Sequence, residues 1–182
     1  MKKLLIIDCC IRGDESATRK LYEKYLAKLE TSDVDIEKLY LMQEDLKPLT
    51  NDDINLRDKL LKSGNLEHDI FKYAKQFAMA DEILIAAPYW DLSFPSLLRV
   101  YFERVSVAGI TFGYEGAESV GYCKADKILY FSTCGGFVKG VHLGVEYVKQ
   151  LAQMFGINNF EKVIVEGLDV DSSIRDNITN YV

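Results

Sequence analysis

The sequence is poor in the residues that build metal centres. It has two histidines, His68 and His142, and four cysteines, Cys9, Cys10, Cys123 and Cys134, with no CxxC or HxxxH spacing. A structural zinc is disfavoured, and the cysteines are too scattered for an iron–sulfur ligand set. No apolar run approaches the roughly 20 residues that a membrane helix needs. The opening MKKLLIIDCC is lysine-led, but its apolar stretch is short and no small-residue cleavage site follows, so it reads as structure rather than as a signal peptide. Without an export signal, the cysteines are expected to be reduced thiols of a cytoplasmic protein. Three prolines and twelve glycines leave no linker-like segment. Lysine and arginine total 22 against 28 acids, a net charge of −6. That balance argues against nucleic acid as the main partner.

What is present is ordinary globular composition, 48% hydrophobic and 27% charged over 182 residues. One domain spanning 1–182 is expected. Short apolar runs alternate with helical periodicity. Leu4–Ile7, Ile83–Ala87, Ile128–Phe131 and Val163–Val165 are continuous runs, as in strands covered on both faces. Val34, Ile36 and Leu39 suggest a weaker strand, suited to an edge. Helix faces are read in Leu21–Leu29, from Thr50–Asp53 to about Leu61, in Leu66–Phe77, from Pro95 towards Gly109, and in Val141–Phe155. Residues 110–126 predict a loop or small hairpin, and the tail from Asp171 a short helix. Strands separated by helices imply an α/β three-layer sandwich, with a flavodoxin-like five-stranded parallel sheet of order 2-1-3-4-5. In such sheets ligands sit beyond the carboxyl ends of the strands.

Three loops fall there. The first, Cys9 to Thr18, has no GxGxxG and no Gly-Lys-Ser/Thr, which disfavours dinucleotide and P-loop sites. No arginine stands six residues after either cysteine, so it is not a Cys-x5-Arg phosphatase loop. It places Ser16 and Thr18 where a helix should start, with Arg12 nearby, an arrangement that suits a phosphate monoester or simply a helix cap. The second loop, Pro88-Tyr89-Trp90-Asp91-Leu92-Ser93-Phe94-Pro95, offers aromatics to a flat ring or to the core. The third, Ser132-Thr133-Cys134-Gly135-Gly136-Phe137, lets backbone approach a ligand closely or is a plain turn. Together they describe a mononucleotide with a planar, hydrogen-bonding ring, and FMN fits. Asp8 is a candidate phospho-acceptor, but it lacks the paired acid and downstream lysine of a receiver site.

With these stretches and the block Ala108-Gly109-Ile110-Thr111-Phe112-Gly113-Tyr114, the chain resembles the FMN-dependent NADH azoreductases and the wider flavodoxin-like NAD(P)H:quinone oxidoreductases. The resemblance implies that Cys10, Ser16 and Thr18 stand where the family holds the FMN phosphate. Tyr89, Trp90, Asp91 and Leu92 match the segment along the flavin ring. Thr133, Gly135 and Gly136 match the segment at its polar edge, with Ser132 and Cys134 beside them. It further implies a homodimer with flavin sites near the interface. The expected activity is a ping-pong transfer from NADH or NADPH to quinones, azo compounds or similar small aromatic acceptors. The alternative is a non-enzymatic flavodoxin-type electron carrier. Departures are Cys10 for a serine, Asp91 for an asparagine and Cys134 for an arginine. No acid–base residue is obligatory; His142 and Tyr114 are the weak candidates. The chain is short for the family, so a second subunit is expected to complete the substrate wall.

Overall fold

The computed structural model describes residues 1–29 and 33–182. Five parallel strands form the main sheet: β1 (Lys2–Asp8), β2 (Val34–Tyr40), β3 (Glu82–Ala86), β6 (Lys127–Thr133) and β7 (Asn159–Val165). Their order is β2-β1-β3-β6-β7, which is the expected 2-1-3-4-5 once the hairpin strands between β3 and β6 are set aside. Those two, β4 (Phe112–Glu115) and β5 (Glu118–Gly121), pair antiparallel within the 110–126 segment. Gly121 lies so close to the Phe155–Gly156 backbone that a Cβ there would overlap it, so the hairpin packs tightly on the segment before β7.

Alternation along the buried strands feeds two core layers. Leu5, Ile7, Ile83, Ile85, Ile128 and Tyr130 pack against Phe77, Leu98, Tyr101 and Val148. These belong to α3 (Lys72–Met79), α4 (Ser96–Val105) and α5 (Leu143–Met154). Leu4, Ile6, Leu84, Leu129 and Phe131 pack against Leu21 and Tyr22 of α1 (Ala17–Leu26) and against Ile178 of the C-terminal turn. Both faces of the central strands are thus covered, which is why they read as unbroken apolar runs. β2, at an edge, buries only Leu39 fully.

Side-chain caps set several of the helix and turn starts. Thr50 and Asp53 form a reciprocal capping box on α2 (Asn51–Ser63). His68 accepts from the Ile70 amide at 3.2 Å, and a 3₁₀ turn leads into α3, so Leu66 lies outside the helix and is exposed. His142 accepts from the Val145 amide at 3.1 Å and starts α5, leaving Val141 outside it. Leu29 likewise falls beyond α1, and Pro95 is the residue before α4 rather than its first. The predicted tail helix is α6 (Ser172–Asp176). Among the described residues, no helix is long and apolar enough to cross a membrane.

Candidate functional site

The first loop is anchored by a buried carboxylate. Asp8, at the end of β1, accepts from the Cys10 amide at 2.7 Å, from Arg19 Nε at 2.7 Å and from the Tyr22 hydroxyl at 2.8 Å. Its oxygens are occupied, which leaves no free acid for a phospho-acceptor role. Arg19, only 11% exposed, also reaches Asp14 and lies 4.9 Å above the Tyr40 ring. This network fixes where α1 begins. Ser16 stands at the N-cap position, yet its side chain caps none of the first-turn amides. The helix therefore presents both its free N–H groups and a buried hydroxyl to a ligand, the arrangement that attracts anions.

Thr18 is fully buried, and its hydroxyl lies 2.7 Å from that of Thr133. A hydroxyl has one proton and two lone pairs. If Thr18 donates, the Thr133 proton is free to point into the cleft that Thr133 lines. Thr18 thus acts through Thr133 and does not line the cleft itself. Cys10 sits beneath Ser16 with its thiol aimed at the Ala86 carbonyl, and burial raises its pKa. It offers the cleft no donor.

The second loop is a tight turn. Trp90 and Ser93 exchange backbone bonds of 3.3 and 2.7 Å around Asp91 and Leu92, both left-handed at φ 49° and 67°. The turn thrusts Trp90 and Leu92 into the open, 44% and 63% exposed. Asp91 tips the turn and lines neither recess described below.

The third loop is held by a fourth that strand-by-strand reading passed over. Residues 165–169, after β7, zip onto it: Cys134 N to Val165 O, Leu168 N to Cys134 O, Asp169 N to Gly135 O and Gly167 N to Gly136 O, at 2.7–3.1 Å. Glu166 accepts from the Val138 amide at 3.0 Å. Among the described residues, the amides of Gly135, Gly136 and Phe137 donate to no protein group. A Cβ on Gly136 would meet nothing within 4 Å, so its Cα borders open space.

Two adjoining recesses result. One, about 210 Å³, is lined by Arg12, Ser16, Pro88, Tyr89, Trp90, Thr133 and Gly135 among the expected residues. Glu15, Asp169 and Arg175 complete it with charge. The other, about 510 Å³ and more apolar, is lined by Tyr89, Leu92, Gly136, Phe137, Val141 and Leu143. Tyr89 is common to both. Phe137 closes the third expected loop, whereas Asp169 and Arg175 were not expected, although the strand-end rule points at residues 166–169 as it does at the other loops.

The remaining nominees lie off the recess walls. Ser132 is fully buried, its hydroxyl without a hydrogen-bond partner beside Tyr130. Cys134 is buried, its pKa raised by burial to about 12. Tyr114, on the hairpin, is 66% exposed and packs edge-on against Phe112. His142 spends Nδ1 on the α5 cap and packs its ring 4.5 Å from that of Tyr89. Burial lowers its pKa, and because Nδ1 accepts from the Val145 amide the proton of the neutral ring belongs on Nε2.

The family described as the flavodoxin-like fold matches residues 2–182. An FMN-dependent NADH:quinone oxidoreductase of Clostridium acetobutylicum is 33% identical over 178 residues, covering 93% of this chain and 88% of that protein. One from Clostridium perfringens is 33% identical over 175 residues, with the same coverage of 93% and 88%. The crystal structure of an azoreductase from Bacillus anthracis superposes with a TM-score of 0.83 at 27% identity, covering 99% of this chain and 94% of that one.

Proposed function

The chain belongs to the family of the flavodoxin-like fold, and from that premise we propose that it is an FMN-dependent NADH oxidoreductase that reduces quinones, azo compounds or similar flat acceptors. The observation that carries the reading is the convergence of three ligand-ready groups on two adjoining recesses that share Tyr89. These are the uncapped start of α1, the aromatic turn at Tyr89–Trp90 and the free amides of Gly135–Phe137. The residues fit FMN. Ser16, the first-turn amides and Arg12 would hold the phosphate. Tyr89 and Trp90 would lie along the ring, and the amides of Gly135 and Gly136 would meet its polar edge. When bound, FMN supplies reversible two-electron chemistry, while the protein supplies binding and orientation.

The recess beside Gly136 and Leu92 is where NADH and the acceptor would lie, one after the other, in a ping-pong sequence. Its apolar walls favour flat, weakly polar acceptors. His142 holds Tyr89 in place through ring packing and needs to move no proton. The exposed apolar rim of Leu92, Phe137 and Val141 (each above 60% exposed) is larger than a monomer gains from showing to water. We assign it to a second copy, which would close the acceptor recess of a homodimer. The four cysteines are all free thiols, in keeping with a reducing cytoplasmic setting.

The test is direct. Purified protein should take up FMN with quenching of its fluorescence, and should then oxidise NADH in the presence of menadione. No FMN uptake refutes the assignment. FMN uptake with negligible NADH oxidation would make the protein an electron carrier instead. Ser16→Ala should weaken FMN more than riboflavin.

A further inference from the structure

We propose that Arg175, at the far end of the chain from α1, selects the phosphorylated form of the flavin. The inference rests on the FMN reading above and assigns a residue to it that no loop motif contains. Arg175 lines the same recess as Arg12, Ser16 and Ala17. It gets there because α6 and the C-terminal turn lie on the α1 face of the sheet. Ile174 and Ile178 pack into the core layer that holds Leu21, Tyr22 and Leu168. The guanidinium is oriented rather than free. Nε donates to the Leu168 carbonyl at 3.4 Å, and Nη2 is paired with Asp169. Nη1 donates to no protein group among the described residues, so one arm of a fixed fork remains for an anion.

The neighbourhood has few other cations to offer. Arg19, in the first turn of α1, is consumed by Asp8 and Asp14. Arg12 is exposed and makes no ion pair among the described residues. Cys10 contributes no donor. Against these stand two acids of the recess, Glu15 and Asp169. Without Arg175 the recess would hold one arginine and two carboxylates, a poor setting for a phosphate dianion. With it, Asp169 is paired and the two arginines balance the two carboxylates. Asp169 restrains Arg175 and also competes with the phosphate for it.

The experiment measures dissociation constants of the cofactor-stripped protein for FMN and for riboflavin by fluorescence quenching. The variants are Arg175→Gln, Arg175→Lys and Asp169→Asn, each with a thermal melt. A charge-assisted contact at a half-exposed site supports about a tenfold effect. Arg175→Gln should lose about tenfold for FMN and less than twofold for riboflavin, with Arg175→Lys in between. Asp169→Asn should leave FMN affinity unchanged or tighten it, because it releases the guanidinium. If Arg175 merely clips α6 to the loop after β7, Asp169→Asn will weaken FMN as much as Arg175→Gln does. FMN and riboflavin will then suffer alike. Either result overturns the proposal, and Arg175→Lys decides the matter should the glutamine variant fail to fold. Unaltered protein that binds neither flavin refutes the FMN reading itself. Unaltered protein that prefers FMN, with the preference kept in Arg175→Gln, refutes only the role of Arg175.

Discussion

The two recesses at the carboxyl end of the sheet are built on opposite principles. The one at α1 is polar and over-determined. Asp8 makes three hydrogen bonds, Thr18 and Thr133 lock α1 to β6, and the loop after β7 is zipped onto Gly135. The one beside it is apolar and unfinished. Its walls come from a left-handed turn and from the stretch before α5, and its large side chains stand in solvent. A site that must keep a cofactor and exchange two substrates needs both. Pre-organised donors hold the resident group at little ordering cost, and an open apolar wall lets flat molecules come and go.

The comparison breaks most readily at Asp8. Asp8→Asn takes from the largely buried Arg19 side chain its buried partner and leaves it only the exposed Asp14, and breaking a buried pair on one side costs about 3–5 kcal/mol. We expect a loss near the lower figure, since Arg19 keeps Asp14. It is measured as a fall in the denaturant midpoint at unchanged slope. A loss below about 1 kcal/mol would mean that the α1 recess is not held by this network.

Gly136→Val sharpens the comparison by separating binding from stability. A Cβ added there meets no protein atom within 4 Å, and the backbone is not left-handed. Stability should change by no more than about 0.5 kcal/mol. Flavin affinity should fall at least about tenfold, because the side chain enters the space proposed for the ring. Intact affinity would move the ring elsewhere.

How much of this was legible beforehand follows from the same contrast. Strands buried on both faces announce themselves as apolar runs, so the sheet and its order could be read from Leu4–Ile7 and Ile83–Ala87. Loops at strand ends could be located by rule, and Ser16, Tyr89, Trp90 and Gly135 do line the cleft. Hydroxyl direction could not be read. Nothing in the spacing of Thr18 and Thr133, 115 residues apart, says that they bond to each other rather than to a ligand. Nor does sequence reveal that Arg175 folds back beside α1, for that depends on how the chain packs after β7. Helix starts were misjudged at Leu66 and Val141 because histidine is an uncommon cap, and both histidines serve as one.

His142 ties the recesses together through Tyr89, and acid should loosen that tie. Burial lowers its pKa below the unfolded value near 6.5. The unfolded chain therefore binds the proton more readily. The contribution of the neutral ring is complete above about pH 6.5 and is lost as pH falls through that value towards the folded one. Protonation also turns the Nδ1 acceptor into a donor facing the Val145 amide, forfeiting a cap of about 1 kcal/mol. His142→Asn, which keeps an acceptor at the cap and does not titrate, should retain more of its pH 8 stability at pH 5 than the original protein does. Equal slopes for both proteins would refute the assignment.

The smallest effect is expected at Leu92, where the apolar recess trades stability for shape. A leucine at φ 67° pays a left-handed penalty of roughly 1–2 kcal/mol that asparagine largely avoids by bonding to its own backbone. Leu92→Asn should therefore stabilise the protein by about 0.5 kcal/mol while removing apolar wall from the acceptor recess. The proposed consequence is a higher KM for a quinone with FMN affinity unchanged. A variant that is more stable and equally active would show that the strain serves no substrate. One that loses FMN would show that the two recesses are a single site and not two differently built halves.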